Sequence, residues 1–235
     1  MKAFLLAAGL GTRLRPYTNS TPKCLLPIQK SPILEIWLSL FRRHRIDEIL
    51  INTHAHAQEV AAFVRKRGNG IKIRIVEEQT LLGSAGTLRA NRDFVHHEEV
   101  FWIFYGDVLT CMKLDAMLHF HARGTAATLG VSPVPDPSRC GIVTLDRESV
   151  IRGFVEKPSV PRSNLAFAGI MIGTQQFLDA IPQQPVADIG FDVLPKLVGR
   201  MRAYPISEYL LDIGTLQNYK LAQNNWPGLA ADGAA

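Results

Sequence analysis

Apolar runs rich in β-branched residues recur through the first part of the chain, at residues 3–8, 48–53, 71–76 and 100–105. Segments with helical spacing lie between them, at 32–45, 57–66, 83–93 and 113–122. Pro32 suits a first helical turn, and Gly68 and Gly70 suit the exit from a helix. This alternation predicts an α/β fold, a mixed and mainly parallel sheet flanked by helices. Beyond residue 130 the rhythm changes. Residues 142–145 and 150–155 read as a hairpin, 165–172 as a further strand and 174–181 as a short helix. A helical stretch over 188–200 is interrupted by Pro195, 204–211 reads as extended, and 215–225 closes the chain as a helix. The organisation expected is one domain over 1–226, in a part up to residue 130 and a smaller α+β part from 131, with a flexible tail over 227–235.

Composition adds bounds rather than detail. The 235 residues are 47% hydrophobic and 20% charged, the profile of an ordinary globular chain. No apolar run reaches the roughly 18 to 20 residues that cross a bilayer, so no membrane partner is expected. The N-terminal apolar run is broken at once by Gly9, Gly11, Arg13 and Arg15, and reads as a buried strand rather than a leader, which predicts a cytoplasmic protein. Cys24, Cys111 and Cys140 are far apart and read as free thiols of a reducing compartment. The net charge of +5 is spread along the chain. Its one cluster, Arg42 to Arg45, ends a predicted helix, where cations complement the dipole, and no nucleic acid is expected. The pairs His54 with His56 and His96 with His97 lack a third nearby ligand and read as exposed loop histidines.

The chemistry begins where the first strand ends. Leu5 to Pro16 runs from a buried strand straight into Gly9-Leu10-Gly11, then Thr12 and two guanidinium groups, Arg13 and Arg15. Glycines there let backbone N–H groups approach a phosphate, and Arg13 adds a charge-assisted contact to the same phosphate chain. Lys23 follows on a loop stiffened by Pro22, and together these residues predict a triphosphate cradle. A dinucleotide loop would need a third glycine where Leu14 stands, and the string of a P-loop is absent. A second point is Asp107, which ends the apolar strand 101–105 through Gly106. Carboxyl ends of parallel strands line ligand crevices, and an aspartate there suits Mg²⁺, which takes hard oxygen ligands.

Leu6-Ala7-Ala8-Gly9 through Pro16, followed by Thr21-Pro22-Lys23 and Leu25 to Pro27, resembles the signature of the sugar-1-phosphate nucleotidyltransferase family, as in mannose-1-phosphate guanylyltransferases and glucose-1-phosphate thymidylyltransferases. Later landmarks recur in order along nearly the whole chain. The resemblance implies a Rossmann-like nucleotide-binding part over 1–130 and a sugar-phosphate-binding part over 131–226. It implies nucleotide contacts at Leu6, Ala8, Gly9, Gly11, Thr12, Arg13, Glu78, Gly83 and Gly86, with Arg13, Lys23 and Asp107 as catalytic groups. Cys24 stands where the family usually has proline. Glu78 could accept from two adjacent donors of guanine, which favours GTP, and Gly86 would let the base lie on the backbone. Asp212, in Asp212-Ile213-Gly214-Thr215, resembles the late aspartate that shares Mg²⁺ with Asp107. Gly141, Glu156, Lys157, Asn164 and Gly169 resemble the sugar-phosphate contacts, although Phe167 displaces the amide usual in that strand.

The implied reaction, of EC 2.7.7 type, is attack of a sugar 1-phosphate on the α-phosphorus of a nucleoside triphosphate, giving a nucleotide-sugar and pyrophosphate. GTP with a mannose- or heptose-type sugar is favoured. The alternatives are UTP, dTTP or CTP with another sugar phosphate, a non-sugar phosphate or phosphonate acceptor, and a nucleotide-sensing regulatory subunit without activity. The expected partners are the two substrates alone, with a homo-oligomer left open, and the β-helix appendage of some relatives is not expected.

Overall fold

A computed structural model describes residues 1–67 and 70–229. Gly68, expected at a helix exit, and the end of the expected tail, 230–235, lie outside the described residues. The chain opens with β1 (Lys2–Leu6), passes three 3-10 turns (Thr12–Leu14, Tyr17–Asn19, Lys23–Leu25) and forms a small ribbon of β2 (Pro27–Ile28) and β3 (Ser31–Pro32). Then come α1 (Ile33–Arg43), β4 (Glu48–Thr53), α2 (Ala57–Arg67), β5 (Lys72–Glu77), α3 (Gly83–Ala90) and β6 (Phe101–Tyr105). The second half holds β7 (Val108–Thr110), α4 (Leu114–Phe120), β8 (Ala127–Pro133), β9 (Gly141–Leu145), β10 (Ile151–Glu156), β11 (Leu165–Gly173) and α5 (Gln175–Asp179). A π turn (Ile189–Val193) and a 3-10 turn (Leu194–Leu197) lead to β12 (Met201–Pro205), β13 (Leu210–Asp212) and α6 (Leu216–Asn225). Among the described residues no helix is long and apolar enough to cross a membrane.

These elements group into two units of nearly equal length. The first comprises residues 1–80, 104–113 and 208–235, and the second comprises 81–103 and 114–207. This division departs from the expected parts 1–130 and 131–226, and the second part is not the smaller. Tertiary pairing is the reason. The strand that ends the chain's second half, β13, lies antiparallel on β7, with Asp212 opposite Val108, so the C-terminal segment belongs to the first unit.

In the first unit β1 and β4 are parallel in register from Lys2 opposite Glu48 to Leu6 opposite Asn52, and β4 and β5 are parallel beside them. β1 and β4 are buried, as the continuous apolar runs require of strands covered on both faces. α1 buries Ile33, Leu34, Ile36, Trp37, Leu38, Leu40 and Phe41, and Arg42 and Arg43 close its last turn. Trp37, Phe41 and Phe104 pack with ring centroids 5.0 to 5.4 Å apart, each large aromatic removing apolar area from water.

In the second unit the expected hairpin is present, β9 and β10 pairing antiparallel from Leu145 opposite Ile151 to Gly141 opposite Glu156. β11 pairs antiparallel with β8 and β9, and β8 pairs parallel with β12. The sequence reading missed β8, the strand that joins these pairs. Its Ala-Thr-Leu-Gly opening shows no strict alternation, and a Cβ on Gly130 would press the backbone oxygen of Ile170 at 3.1 Å as well as Ile206 Cδ1 at 2.7 Å. The helix expected over 188–200 is also corrected. Pro195 removes an N–H, and the Asp188 carboxylate takes up those of Gly190 and Phe191, leaving a π turn and a 3-10 turn. The extended stretch over 204–211 is split between β12 and β13, in two different sheets.

Candidate active site

Strand β1 ends at Leu6, and the next residues leave the sheet. Ala7 N–H donates to Asn52 Oδ1 at 2.8 Å, so the turn is tied to the end of β4. A Cβ built on Gly9 meets no atom within 4 Å, so that backbone faces open space. Gly11 has φ +62°, and a Cβ there would sit 2.8 Å from Thr18 Cγ2, while Thr18 Oγ1 donates to Gly11 O at 2.8 Å. Only glycine suits both constraints. Arg13 and Thr12 stand exposed on the 3-10 turn that follows, and Ala8 is buried. Gly9, Arg15, Thr21, Lys23, Thr53 and His56 line a cleft of about 420 Å³.

Four charged side chains converge beside this turn. Lys23 Nζ lies 2.6 Å from Asp107 Oδ2, with Lys23 nearly buried and Asp107 about one-third exposed. Asp107 is held on a turn whose Gly106 N–H donates to Leu6 O at 2.8 Å, and a Cβ on Gly106 would press that oxygen at 3.0 Å. Asp212 ends β13, and the β7–β13 register brings it beside Asp107, whose O accepts from Ile213 N–H at 2.9 Å. A Cβ on Gly214 would lie 2.7 Å from Asp212 Oδ1, 3.0 Å from Arg13 Nη2 and 3.3 Å from Lys23 Nζ, which locates all three groups around one glycine. Burial raises the Asp212 carboxyl above its ordinary range, the Asp107 charge raises it further, and the Gly214 N–H, Lys23 and Arg13 oppose both. Among the described residues no cluster of three or more His, Cys, Asp and Glu side chains is placed to hold a metal. Two carboxylates with cations beside them fit Mg²⁺ better, since that ion is bound by one or two carboxylates with waters and substrate phosphates.

The residues expected at the base have partners within the chain. Glu78 is 5% exposed, and its Oε1 accepts from Asn52 Nδ2 at 2.8 Å, so this carboxylate holds the β4 end and β1 exit together instead of standing open to a base. Asn52, a polar residue closing an apolar strand, was the signal for this pairing. Gly83 and Gly86 lie in the second unit. A side chain on Gly83 would collide with Ala187 O, whereas one on Gly86 would press Leu82 Cβ at 3.1 Å and meet Ala187 N at an ordinary 3.5 Å. Ala85 and Gly86 N–H donate to Ala187 O at 2.9 and 3.0 Å. Of the four histidines expected to be exposed, His96 and His97 are, whereas His54 and His56 are half-buried, with His54 Nδ1 2.7 Å from Glu78 O.

The second unit brings together three of the expected sugar-phosphate residues. Gly141 and Glu156 are opposite one another in the β9–β10 pair, and a Cβ on Gly141 would lie 2.6 Å from Glu156 Oε2. Lys157 follows with φ +48°, its N–H donating to Cys140 O at 2.9 Å and its Nζ 3.8 Å from Glu156 Oε1. Burial raises the Glu156 carboxyl, Lys157 lowers it, and Asp188 raises it again. Gly169, φ +71°, lies where the β11–β8 register shifts between Phe167 and Met171. Asn164 is exposed, its O accepting from Val134 N–H at 2.9 Å. Ser84, Asp188, Gly190 and Phe191 also belong here and were missed; their one local signal is Asp188 two residues before a glycine, an Asx-type cap.

Residues 2–227 match the model of a family described as nucleotidyl transferase. A UTP–glucose-1-phosphate uridylyltransferase of Synechocystis is 33% identical over 238 residues, covering 93% of this chain and 61% of that protein. A mannose-1-phosphate guanylyltransferase catalytic subunit beta of Danio rerio is 33% identical over 228 residues, covering 93% and 62%. The chain thus spans about three fifths of the length of these curated relatives. The solved structure of HddC from Yersinia pseudotuberculosis superposes with a TM-score of 0.82 at 20% identity, covering 96% of this chain and 99% of that one, a likeness of fold. A match over residues 2–227, with the Gly-rich strand exit and both strand-end aspartates inside it, means that this chain belongs to the nucleotidyl transferase family.

Proposed function

We propose that the chain transfers a nucleoside monophosphate from a nucleoside triphosphate to a sugar 1-phosphate, releasing pyrophosphate. The observation that carries this reading is the convergence of Arg13, Lys23 and Asp212 around Gly214, with Asp107 paired to Lys23. Transfer of this kind needs little covalent work from the protein. It needs two anions held in line and their charge neutralised. The open backbone of Gly9 and the Gly11 turn receive the phosphate chain, Arg13 binds its oxygens, and Lys23 counters repulsion as the acceptor phosphate attacks the α-phosphorus. Asp107 and Asp212 would hold Mg²⁺, which when bound neutralises triphosphate charge. Glu156 orients acceptor hydroxyls, and Lys157 holds the acceptor phosphate.

Relatives named as a uridylyltransferase and as a guanylyltransferase each match 93% of this chain, and the preference for guanine loses the open carboxylate on which it rested. The decisive experiment is pyrophosphate release measured over four triphosphates and a panel of phosphorylated acceptors, sugar 1-phosphates and phosphocholine among them. Release with at least one sugar 1-phosphate is expected, and Asp107→Asn should abolish it with the fold retained. Silence with every pair, while triphosphate still binds, overturns the reading in favour of a regulatory binder.

A further inference from the structure

Both oxygens of Asp188 are engaged within the second unit, where they hold the short stretch that follows it. Oδ1 accepts from Gly190 N–H at 2.8 Å and Phe191 N–H at 3.1 Å, and Oδ2 accepts from Ser84 Oγ at 2.9 Å. Ser84 Oγ accepts in turn from Ile189 N–H at 2.8 Å, and Asp188 N–H donates to Asp192 Oδ2 at 2.7 Å. The stretch so held is a five-residue π turn, a geometry with few bonds of its own to fix it.

The two amides on Oδ1 belong to the residues that meet the acceptor pair. A Cβ on Gly190 would lie 2.8 Å from Glu156 Cδ, so the Gly190 backbone is flat against that carboxyl group, with Gly141 also against it. Phe191 is 57% exposed, and its ring carries Lys157 Nζ 5.4 Å from its centroid. Displacing the turn therefore moves the wall beside Glu156 and the support of Lys157 together.

We propose that Asp188 is a positioning residue for the acceptor: by fixing Gly190 and Phe191 it sets where the Glu156 carboxylate and the Lys157 ammonium stand when a phosphorylated acceptor binds. This rests on the reading of Glu156 and Lys157 as the acceptor pair. The effect is one-sided, because the start of α3 keeps its own anchor through Ala85 and Gly86 N–H on Ala187 O, bonds that do not involve Asp188.

The test compares Asp188→Ala with Asp188→Asn, varying triphosphate and acceptor separately and recording Tm for each variant. Asp188→Ala should raise the acceptor KM about tenfold and leave the triphosphate KM within about threefold. Asp188→Asn should restore the acceptor KM, because its amide oxygen still accepts from both N–H groups and its NH₂ can donate to Ser84 Oγ. An unchanged acceptor KM in Asp188→Ala overturns the proposal, as does an equal rise in both KM values or an equal defect in the two variants. If the unmodified protein turns over no pair, the proposed function falls by itself. Amide hydrogen exchange at Gly190 and Phe191 then decides about Asp188: protection lost in Ala and kept in Asn supports its fixing role, and protection kept in Ala overturns it.

Discussion

Gly9 and Gly11 stand two residues apart and meet different constraints. Gly11 combines φ +62° with a neighbour that leaves no room for a side chain. Gly11→Ala should cost about 1–2 kcal/mol from left-handed strain alone, lowering Tm by roughly 2–4 °C per kcal/mol. Gly9 faces open space, so Gly9→Ala should leave Tm within about 2 °C yet weaken triphosphate binding, because the new methyl stands where phosphate would approach. Calorimetric Tm and triphosphate titration separate the two, and unchanged binding by Gly9→Ala would remove that residue from the cradle. At Glu156 the sign of the pH dependence follows from burial. Its carboxyl protonates above the ordinary 4.5, so acceptor kcat/KM should fall with acid along a limb displaced upward from that value. Glu156→Gln should erase this limb, and a limb that survives belongs to another group.

Elements carry these residues to their places through pairings and caps. α6 starts at Thr215, whose Oγ1 accepts from Asn218 N–H at 3.2 Å, and Asn218 Nδ2 donates to Asp212 O at 2.6 Å. The cap thus holds the end of β13 as well as the helix. Thr215→Ala should cost about 0.5–2 kcal/mol, read from urea unfolding, and should lower turnover beyond what the stability loss explains. Equal stability in the two proteins would dismiss the cap. Most elements of the first half were legible because long apolar runs and a 3.6-residue period are local properties. Others were not. β8 has small residues and a glycine in place of a clear apolar pattern, and the turns at 189–197 arise from a side-chain cap and a proline competing with a helical period.

At the scale of the molecule the chain passes between its two units at 80/81, 103/104, 113/114 and 207/208. The first unit gathers Gly9, Gly11, Arg13, Lys23, Asp107 and Asp212 from three separate stretches of sequence, so its stability and the proposed ligand site depend on the same pairings. A triphosphate with Mg²⁺ at one hundred times its Kd should add about 2.7 kcal/mol to stability, seen as a rise in Tm that chelation reverses. No rise at saturating ligand would count against the cradle.

The sequence by itself determined the alternating architecture, the Gly-x-Gly strand exit, the proline-stiffened lysine and two strand-end aspartates. Each is a local arrangement in which chain chemistry already limits the backbone. Only the tertiary structure decided that Asp107 and Asp212 share one place, that Glu78 turns inward to Asn52, that Gly83 and Gly86 receive Ala187, and that Asp188 fixes the turn beside Glu156. Those outcomes depend on strand register and on which backbone fills a gap left by a missing Cβ. Both are set by contacts between segments tens of residues apart, which no local pattern encodes.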